Sequence, residues 1–576
     1  MLSGSDATTA RLKRAARLLL ILGLLAHLPC LAIGFLADDH FQRLALESQA
    51  FHSRLAALPA QLNLYDFGDA SEASGPIFAR AGVPWWISET WRVQFLRPLA
   101  SASLALDHLL FGGFAPAHHA TGLLLFLLVL ALANRVLAQL GLSALGRAVA
   151  LALIAVDESS VIPVGWLANR NTLIEALLGL AGLACLGARG SRTPLWRGAC
   201  GLFLGTLAMG AKESGCVFPV LVAWEWASRC RGIRRWSLAG LGPALAFAGL
   251  GLWLSLGAGA ESRFYPEPWD APLEVALRGG RLLLCLLGAS WTPLPVDVAN
   301  FRPQTLPIIL AASVPLAALA VWVLRRTWQP PVSLRLTIAA LVLLAPQAAA
   351  PLSERLLFLP QMAMAGLFGY AAQQQVSQRV GSLGAPLAAL SALGVAVQCT
   401  ALAILGSEAR SQVRGAQDLA AEAGARHVLL AQLAHPLVAL APGAQAILER
   451  GDQAVPLWPL QAGGRAIEIE RLDGRRFRLT FEPGDLLANA IEPVLRARID
   501  PLEVGRVWRT SLFEVRALEV AGDGLVAIEL RFGEPPESLG VLALGGSRGS
   551  VEVRPWPQIG ERVTWPATGS AVPAFP

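Results

Sequence analysis

Over its first two thirds the chain alternates between long apolar runs and short charged breaks. The runs lie near 18–36, 119–140, 146–165, 172–188, 197–211, 214–228, 237–257, 307–324, 334–350, 356–372 and 384–406. A helix rises ~1.5 Å per residue, so roughly 20 apolar residues cross the ~30 Å hydrocarbon core of a bilayer. Each run is therefore predicted as a membrane helix, about eleven in all. The stretch 273–293 is also apolar but carries Arg278 and Arg281. Counting it as a span would invert every later loop, so it is predicted as an interfacial or re-entrant helix. After residue 406 the period changes. Glycine, proline and acid-glycine turn signals separate short alternating runs such as RAIEIERL, RFRLTF, SLFEVRALEV and LVAIELRF, and a period of two marks strands with one buried face. The expected fold class is a polytopic α-helical membrane protein, residues 1–406 with outer loops 37–118 and 258–306. A C-terminal soluble β-rich domain, 407–576, follows after a helical start as a sandwich or small barrel.

Composition sharpens this picture. With 54% hydrophobic and 15% charged residues and a mean hydropathy of +0.51, the chain is too apolar for an ordinary soluble protein. The net charge of +6 does not point to nucleic acid, because the basic residues stand in short clusters between apolar runs. These are Arg135 and Arg147; Arg189, Arg192 and Arg197; Arg229, Arg231, Arg234 and Arg235; Arg325, Arg326 and Arg335; and Arg379. All fit one orientation under the positive-inside rule, with the N-terminus cytoplasmic and the tail outside. The basic N-terminal stretch (Arg11, Lys13, Arg14, Arg17) and the run after it end in LADDH without a small-residue cleavage site. They read as an anchor rather than a signal peptide. The seven cysteines form no CxxC, so neither a disulfide framework nor a zinc site is indicated.

That orientation sorts the ionisable residues at the run ends onto the outer side: Asp38, Asp39, Arg97, Asp157, Glu158, Arg170, Lys212, Glu213, Glu354 and Arg355. The cytoplasmic ends hold almost only arginine. Charges at helix ends inside a bundle are costly unless paired or used, and this mixed set predicts an outward cavity with acidic and basic walls. Lys212 is singular, since only two of the 47 basic residues are lysine. A compact three-donor ammonium serves sites that a planar guanidinium cannot.

The blocks FLRPLASASLALDHLLFG with HHATGLLLFLL, VGWLANRNTLIEALLGL, AKESGCVFPVLV and SERLLFLPQMAMAG, in that order and spacing, resemble the membrane region of the tetratricopeptide-containing O-mannosyltransferases and their bacterial relatives. These are members of the GT-C glycosyltransferase superfamily. The resemblance covers most of 10–406 and none of the tail. It departs at VDESSVIPVGW, where Asp157, Glu158, Ser160 and Ile162 stand in the places of the family's His-Pro and a further His and Glu. The family's repeats are missing, so a protein acceptor does not follow. The resemblance implies a GT-C-like enzyme of the bacterial inner (cytoplasmic) membrane. Such an enzyme moves a monosaccharide from a polyprenyl-phosphate carrier to a lipid, glycan or protein acceptor at the outer face.

The residues suit that chemistry. A carboxylate just outside the bilayer can take the acceptor hydroxyl proton, and Asp39, with Asp38 beside it, is the first candidate; the pair also reads as a cap of the following helix. The leaving phosphate needs cations against its growing charge: Lys212, Arg170 and Arg355, then Arg278 and Arg281. Arg97, Asp157, Glu158, Glu213 and Glu354 support them, the last two as orienters of Lys212 and Arg355 or plain ion-pair partners. Trp166, with Trp85, Trp86, Trp91, Trp269 and Trp291, could stack on a sugar or form an interfacial belt. His118 and His119 read as interfacial. A divalent ion on Asp38 or Asp39 is left open, without a visible ligand set. Two other readings stand beside the enzyme: a transporter or flippase of lipid-linked sugars, against which the halves show no internal symmetry, and a non-catalytic envelope-assembly protein with a glycan-binding tail.

Overall fold

A computed structural model of the chain describes residues 3–48, 59–69, 84–87, 92–187, 193–229, 240–253, 257–258, 271–288, 291, 296–297, 299, 305–374, 378–433, 441–461, 464–482, 486–487, 502–522, 524–547 and 550–567. Five helices are long and apolar enough to cross a membrane: Ala10–Ala32, Ala115–Gln139, Leu306–Arg326, Val332–Ala349 and Ala388–Glu422. A sixth results if Ala144–Val156 and Glu158–Gly165, bent by 60° relative to each other, form one span. The other five apolar runs are helices of 13 to 17 residues. Even 17 residues rise only about 25 Å, short of the ~30 Å core. Five or six described helices, not eleven, therefore have the length of a full crossing. Short 3₁₀ turns stand at or near the junctions of these runs, at Glu158–Ser160, Leu167–Asn169, Glu213–Cys216 and Glu354–Leu356. Hydropathy reads through those breaks, and the breaks carry the charged residues.

One apolar cluster knits the bundle together, from Cys30 and Ile33 through Phe126, Leu173 and Phe358 to Cys399. Leu18, Ile21, Leu22, Leu124, Leu127, Leu128, Leu319 and Trp322 stay exposed on the outside of the candidate spans, as surfaces facing hydrocarbon require. The interfacial segment forms a helix, Pro272–Leu287, packed on Leu306–Arg326.

The last membrane helix does not stop at 406. It runs unbroken from Gln378 to Glu422, so the domain boundary drawn at 407 falls inside it. The tail beyond contains two sheets. Strands β6 (Ala466–Arg471), β7 (Arg476–Glu482), β8 (Val507–Arg509), β9 (Phe513–Ala521), β10 (Gly524–Phe532) and β13 (Arg562–Trp565) form an antiparallel sheet in the order β13-β6-β7-β10-β9-β8. Its inward positions alternate as the sequence indicates. The second sheet is mixed: β4 (His427–Gln432) lies parallel to both β5 (Leu457–Pro459) and β11 (Val541–Ser547), with β12 (Ser550–Val553) antiparallel at the edge. Parallel neighbours need a crossover, and the helix Pro442–Arg450 supplies it. The expected sandwich or small barrel did not specify this parallel unit. Trp85 and Trp86 of the first outer loop are buried in the tail's core, where Trp85 donates its indole N–H to Leu460 O at 2.9 Å.

Candidate functional site

The acidic pair sits where the first candidate span ends and the helix Asp38–Ser48 begins. The turn before it is over-determined. Gly34 has φ +80° and Ala37 φ +41°, the latter a left-handed conformation that costs a non-glycine residue. The turn is held by Arg410 donating to Ile33 O at 2.7 Å, by a bond between His119 Nε2 and Gly34 O at 2.8 Å, and by Asp39 itself. Both carboxylate oxygens of Asp39 are engaged: Oδ2 accepts Leu36 N at 2.9 Å and Oδ1 accepts Ala168 N at 2.8 Å. Asp39 is only 2% exposed. Burial pushes its carboxyl up to about 8, against the two backbone donors. Asp39 is thus built as a clamp between the acidic turn and the 166–170 turn, and the preference for Asp39 as base gives way to Asp38. Asp38 is half-buried and engages no hydrogen-bond partner among the described residues. Burial raises its carboxyl to about 6, opposed by the guanidiniums of Arg355 and Arg97.

The cations facing Asp38 come from three chain breaks. Lys212 stands in extended conformation between two 3₁₀ turns whose backbones touch closely enough that a Cβ on Gly215 would lie 2.5 Å from Ala208. Its ammonium donates to Thr172 Oγ1 at 3.1 Å. Burial lowers it to about 8; the nearby Glu175 opposes this, while Arg97 and Arg355 add to it. Arg355 has no hydrogen-bond acceptor among the described residues, and its guanidinium carbon lies 5.8 Å from the centre of the Trp166 ring. The indole N–H of Trp166 is itself buried without a partner. Arg97 makes a bidentate pair with Glu213, Nε to Oε1 at 2.9 Å and a terminal nitrogen to Oε2 at 2.7 Å, and stacks on Phe95. Glu213 therefore orients Arg97 rather than Lys212. Arg97 and Arg355 act electrostatically on both Asp38 and Lys212, so a carboxylate, an ammonium and an unpaired guanidinium belong to one charge cluster.

Other expected residues are placed elsewhere. Arg170 is 1% exposed, donates to Asp107 at 2.5 Å and to His118 O at 2.5 Å, and keeps a buried Nε without a partner. Its ion pair with Asp107 makes it a buried strut. Glu354 accepts Val296 N and receives no donation from Arg355; burial, then Glu158 and Asp297, push its carboxyl well up. Asp157 caps the following turn through Ser159 N at 2.9 Å and accepts Gln361 Nε2 at 2.7 Å. Glu158 accepts Gln398 Nε2 at 2.5 Å. Arg278 pairs with Glu274 at 2.6 Å, and Arg281 is exposed. Trp85 and Trp86 belong to the tail's core, Trp291 packs edge-on against Phe368, and Trp91 and Trp269 lie outside the described residues. His118 and His119 bond to the carbonyls of Gly112 and Gly34, which makes them turn-holders. Among the described residues no three His, Cys, Asp or Glu side chains converge on a metal position, and each carboxylate oxygen of Asp39 accepts one backbone N–H.

Sequence reasoning passed over Thr172 and Glu175. Both lie on the Arg170–Cys185 helix, and Glu175 is fully buried, one oxygen accepting Ser214 Oγ at 2.7 Å and the other unpartnered. An ionisable residue inside an apolar run was the available signal.

No protein-family model matches the chain, and no curated protein does. Among solved structures it is similar to ArnT from Cupriavidus metallidurans bound to undecaprenyl phosphate, at 13% identity and a TM-score of 0.39, over 76% of this chain and 89% of that one.

Proposed function

We propose that this protein is a membrane glycosyltransferase that moves a monosaccharide from a polyprenyl-phosphate carrier to an envelope acceptor at the outer face of the membrane. The observation that carries this reading is Asp38, a half-buried carboxylate without a hydrogen-bond partner among the described residues, set in the field of Arg97 and Arg355, the same two guanidiniums that act on Lys212. Asp38 takes the proton of the acceptor hydroxyl as its oxygen attacks the anomeric carbon. The bond from that carbon to the carrier phosphate breaks with inversion, and the electron pair stays on the phosphate oxygen. A phosphodiester becomes a monoester, gaining charge that Lys212 and Arg355 neutralise; the ammonium acts as a point charge and the guanidinium as a fork. Arg97, fixed by Glu213, adds long-range positive potential, and Trp166 offers an aromatic face and an indole N–H to the sugar.

The test is retention of polyprenyl phosphate by the purified protein, read by native mass spectrometry. Wild type should hold one carrier. Lys212→Ala and Arg355→Ala should each weaken retention by about tenfold or more, the loss of one charge-assisted contact of ~1.5–3 kcal/mol. Equal retention by all three proteins would remove the cations from carrier binding.

A further inference from the structure

On the opposite side of the Asp38–Ser48 helix lies a second cationic space, separate from the site just described. A cavity of about 360 Å³ opens between the end of the first candidate span, the start of the Ala115–Gln139 span, the long Gln378–Glu422 helix and the tail helix Pro442–Arg450. Three guanidiniums line it: Arg43, Arg410 and Arg414. Among the described residues the lining acid is Glu449, which pairs with Arg414 at 3.0 Å, and Glu47, outside the lining, binds Arg43 at 2.9 Å, so Arg410 keeps a positive charge that no described carboxylate pairs.

The walls are shaped to bring these groups close. A Cβ on Gly34 would lie 1.7 Å from Arg410, and one on Gly113 3.2 Å from Arg43. Several donors are left over. Arg410 spends one N–H on Ile33 O. Arg43 stacks on Phe35, 4.4 Å from the ring centre, while its Nε is buried without a partner. His40 also lines the cavity, is 6% exposed, and is held neutral by burial. Each buried, unmet polar group costs ~1–3 kcal/mol, a cost that an anion's oxygens would remove.

The setting tells which kind of anion. The cavity sits at the ends of three candidate spans, where the long helix leaves the apolar bundle for the tail. Beside it the Pro98–Phe111 helix and its following turn present Leu106, Leu109, Leu110 and Phe114, at 55%, 80%, 62% and 63% exposure, a surface suited to acyl chains. The geometry points to a binding site for the phosphate headgroup of an anionic lipid, held by Arg43, Arg410 and Arg414, with the acyl chains lying along this apolar apron. Because the site joins the helix bearing Asp38 to the tail helix, the lipid would tie the two halves of the protein together at the membrane surface.

The test uses the full-length protein in detergent. Native mass spectrometry counts retained phosphatidylglycerol against phosphatidylcholine for wild type, for the double variant Arg43→Gln with Arg414→Gln, and for Phe114→Glu, a change at an exposed position that places a negative charge at the mouth. One phosphatidylglycerol should stay bound to wild type in preference to phosphatidylcholine, resist millimolar inorganic phosphate, and be held about tenfold more weakly by both variants, as expected for lost charge-assisted contacts. Equal retention of the two lipids, retention unchanged in both variants, or displacement by inorganic phosphate would overturn the assignment. Carrier-lipid retention at Lys212 is measured separately, so failure here leaves the proposed function standing.

Discussion

Replacing Asp38 by asparagine should abolish turnover and yet make the protein more stable. The carboxyl titrates near 6 in the folded chain against 3.8 when free, because burial outweighs the attraction of Arg355 and Arg97. A tenfold difference in proton affinity is worth about 1.4 kcal/mol, so the ionised side chain costs the fold at most about 3 kcal/mol. The sign follows from the raised value. Below pH 3.8 both states are protonated and nothing is lost; between 3.8 and about 6 stability falls because the unfolded carboxyl ionises while the folded one still holds its proton; above about 6 both are ionised and the full cost is present. Asp38→Asn removes the charge at nearly constant shape. Its thermal midpoint in detergent should exceed that of wild type by several degrees at pH 7, and the gap should close as pH approaches 4. Transfer should drop by roughly 10²-fold or more, the loss of general-base help. Asp39→Asn should do the reverse for stability, since asparagine keeps one acceptor where two backbone N–H groups now bond. Scanning fluorimetry across pH, beside transfer assays, reads both quantities. An Asp38→Asn protein less stable than wild type at pH 7, or one of unchanged activity, would refute the reasoning.

The pH dependence of transfer should be bell-shaped, rising through about 6 as Asp38 ionises and falling through about 8 as Lys212 loses its proton; in Asp38→Asn the acid limb should vanish. Lys212→Arg should lose most activity although charge is kept, because the fork cannot stand between the tightly joined turns beside Thr172; rate measurements with Arg355→Ala should be non-additive with Lys212→Ala if both hold one phosphate. Arg170→Gln should destabilise the protein by about 3–5 kcal/mol by stranding buried Asp107, visible as loss of folded protein on size-exclusion chromatography. Cysteine labelling should reach positions near 60, 285 and 500 from outside and near 192, 232 and 379 from inside.

The membrane class and the charge cluster of Lys212, Arg355 and Arg97 were legible because an ionisable residue at the end of an apolar run stands out against its surroundings. What the sequence hid was pairing at a distance. Arg170 looks like Arg355 in a one-dimensional reading, but its partner Asp107 lies 63 residues away. The choice between Asp38 and Asp39 turns on the backbone N–H of Ala168, 129 residues on. The 3₁₀ turns at the run junctions were not legible, because they change the backbone without changing the apolar composition. The parallel strand β4 is a continuous apolar run, HVLLAQ, whose burial on both faces erases the alternation that marked the other strands. Trp85 and Trp86 read as membrane-interface residues because nothing local shows that the tail folds around them.

The most direct measurement is made in liposomes containing the purified protein and a polyprenyl-phosphate-linked monosaccharide, followed by mass spectrometry of the lipids after addition of an envelope extract as acceptor. Wild type should convert the donor to free polyprenyl phosphate with the sugar appearing on an acceptor, and Asp38→Asn should leave the donor intact. Donor that crosses the bilayer unconsumed, or that is consumed equally by the variant, would contradict a glycosyltransferase acting through Asp38.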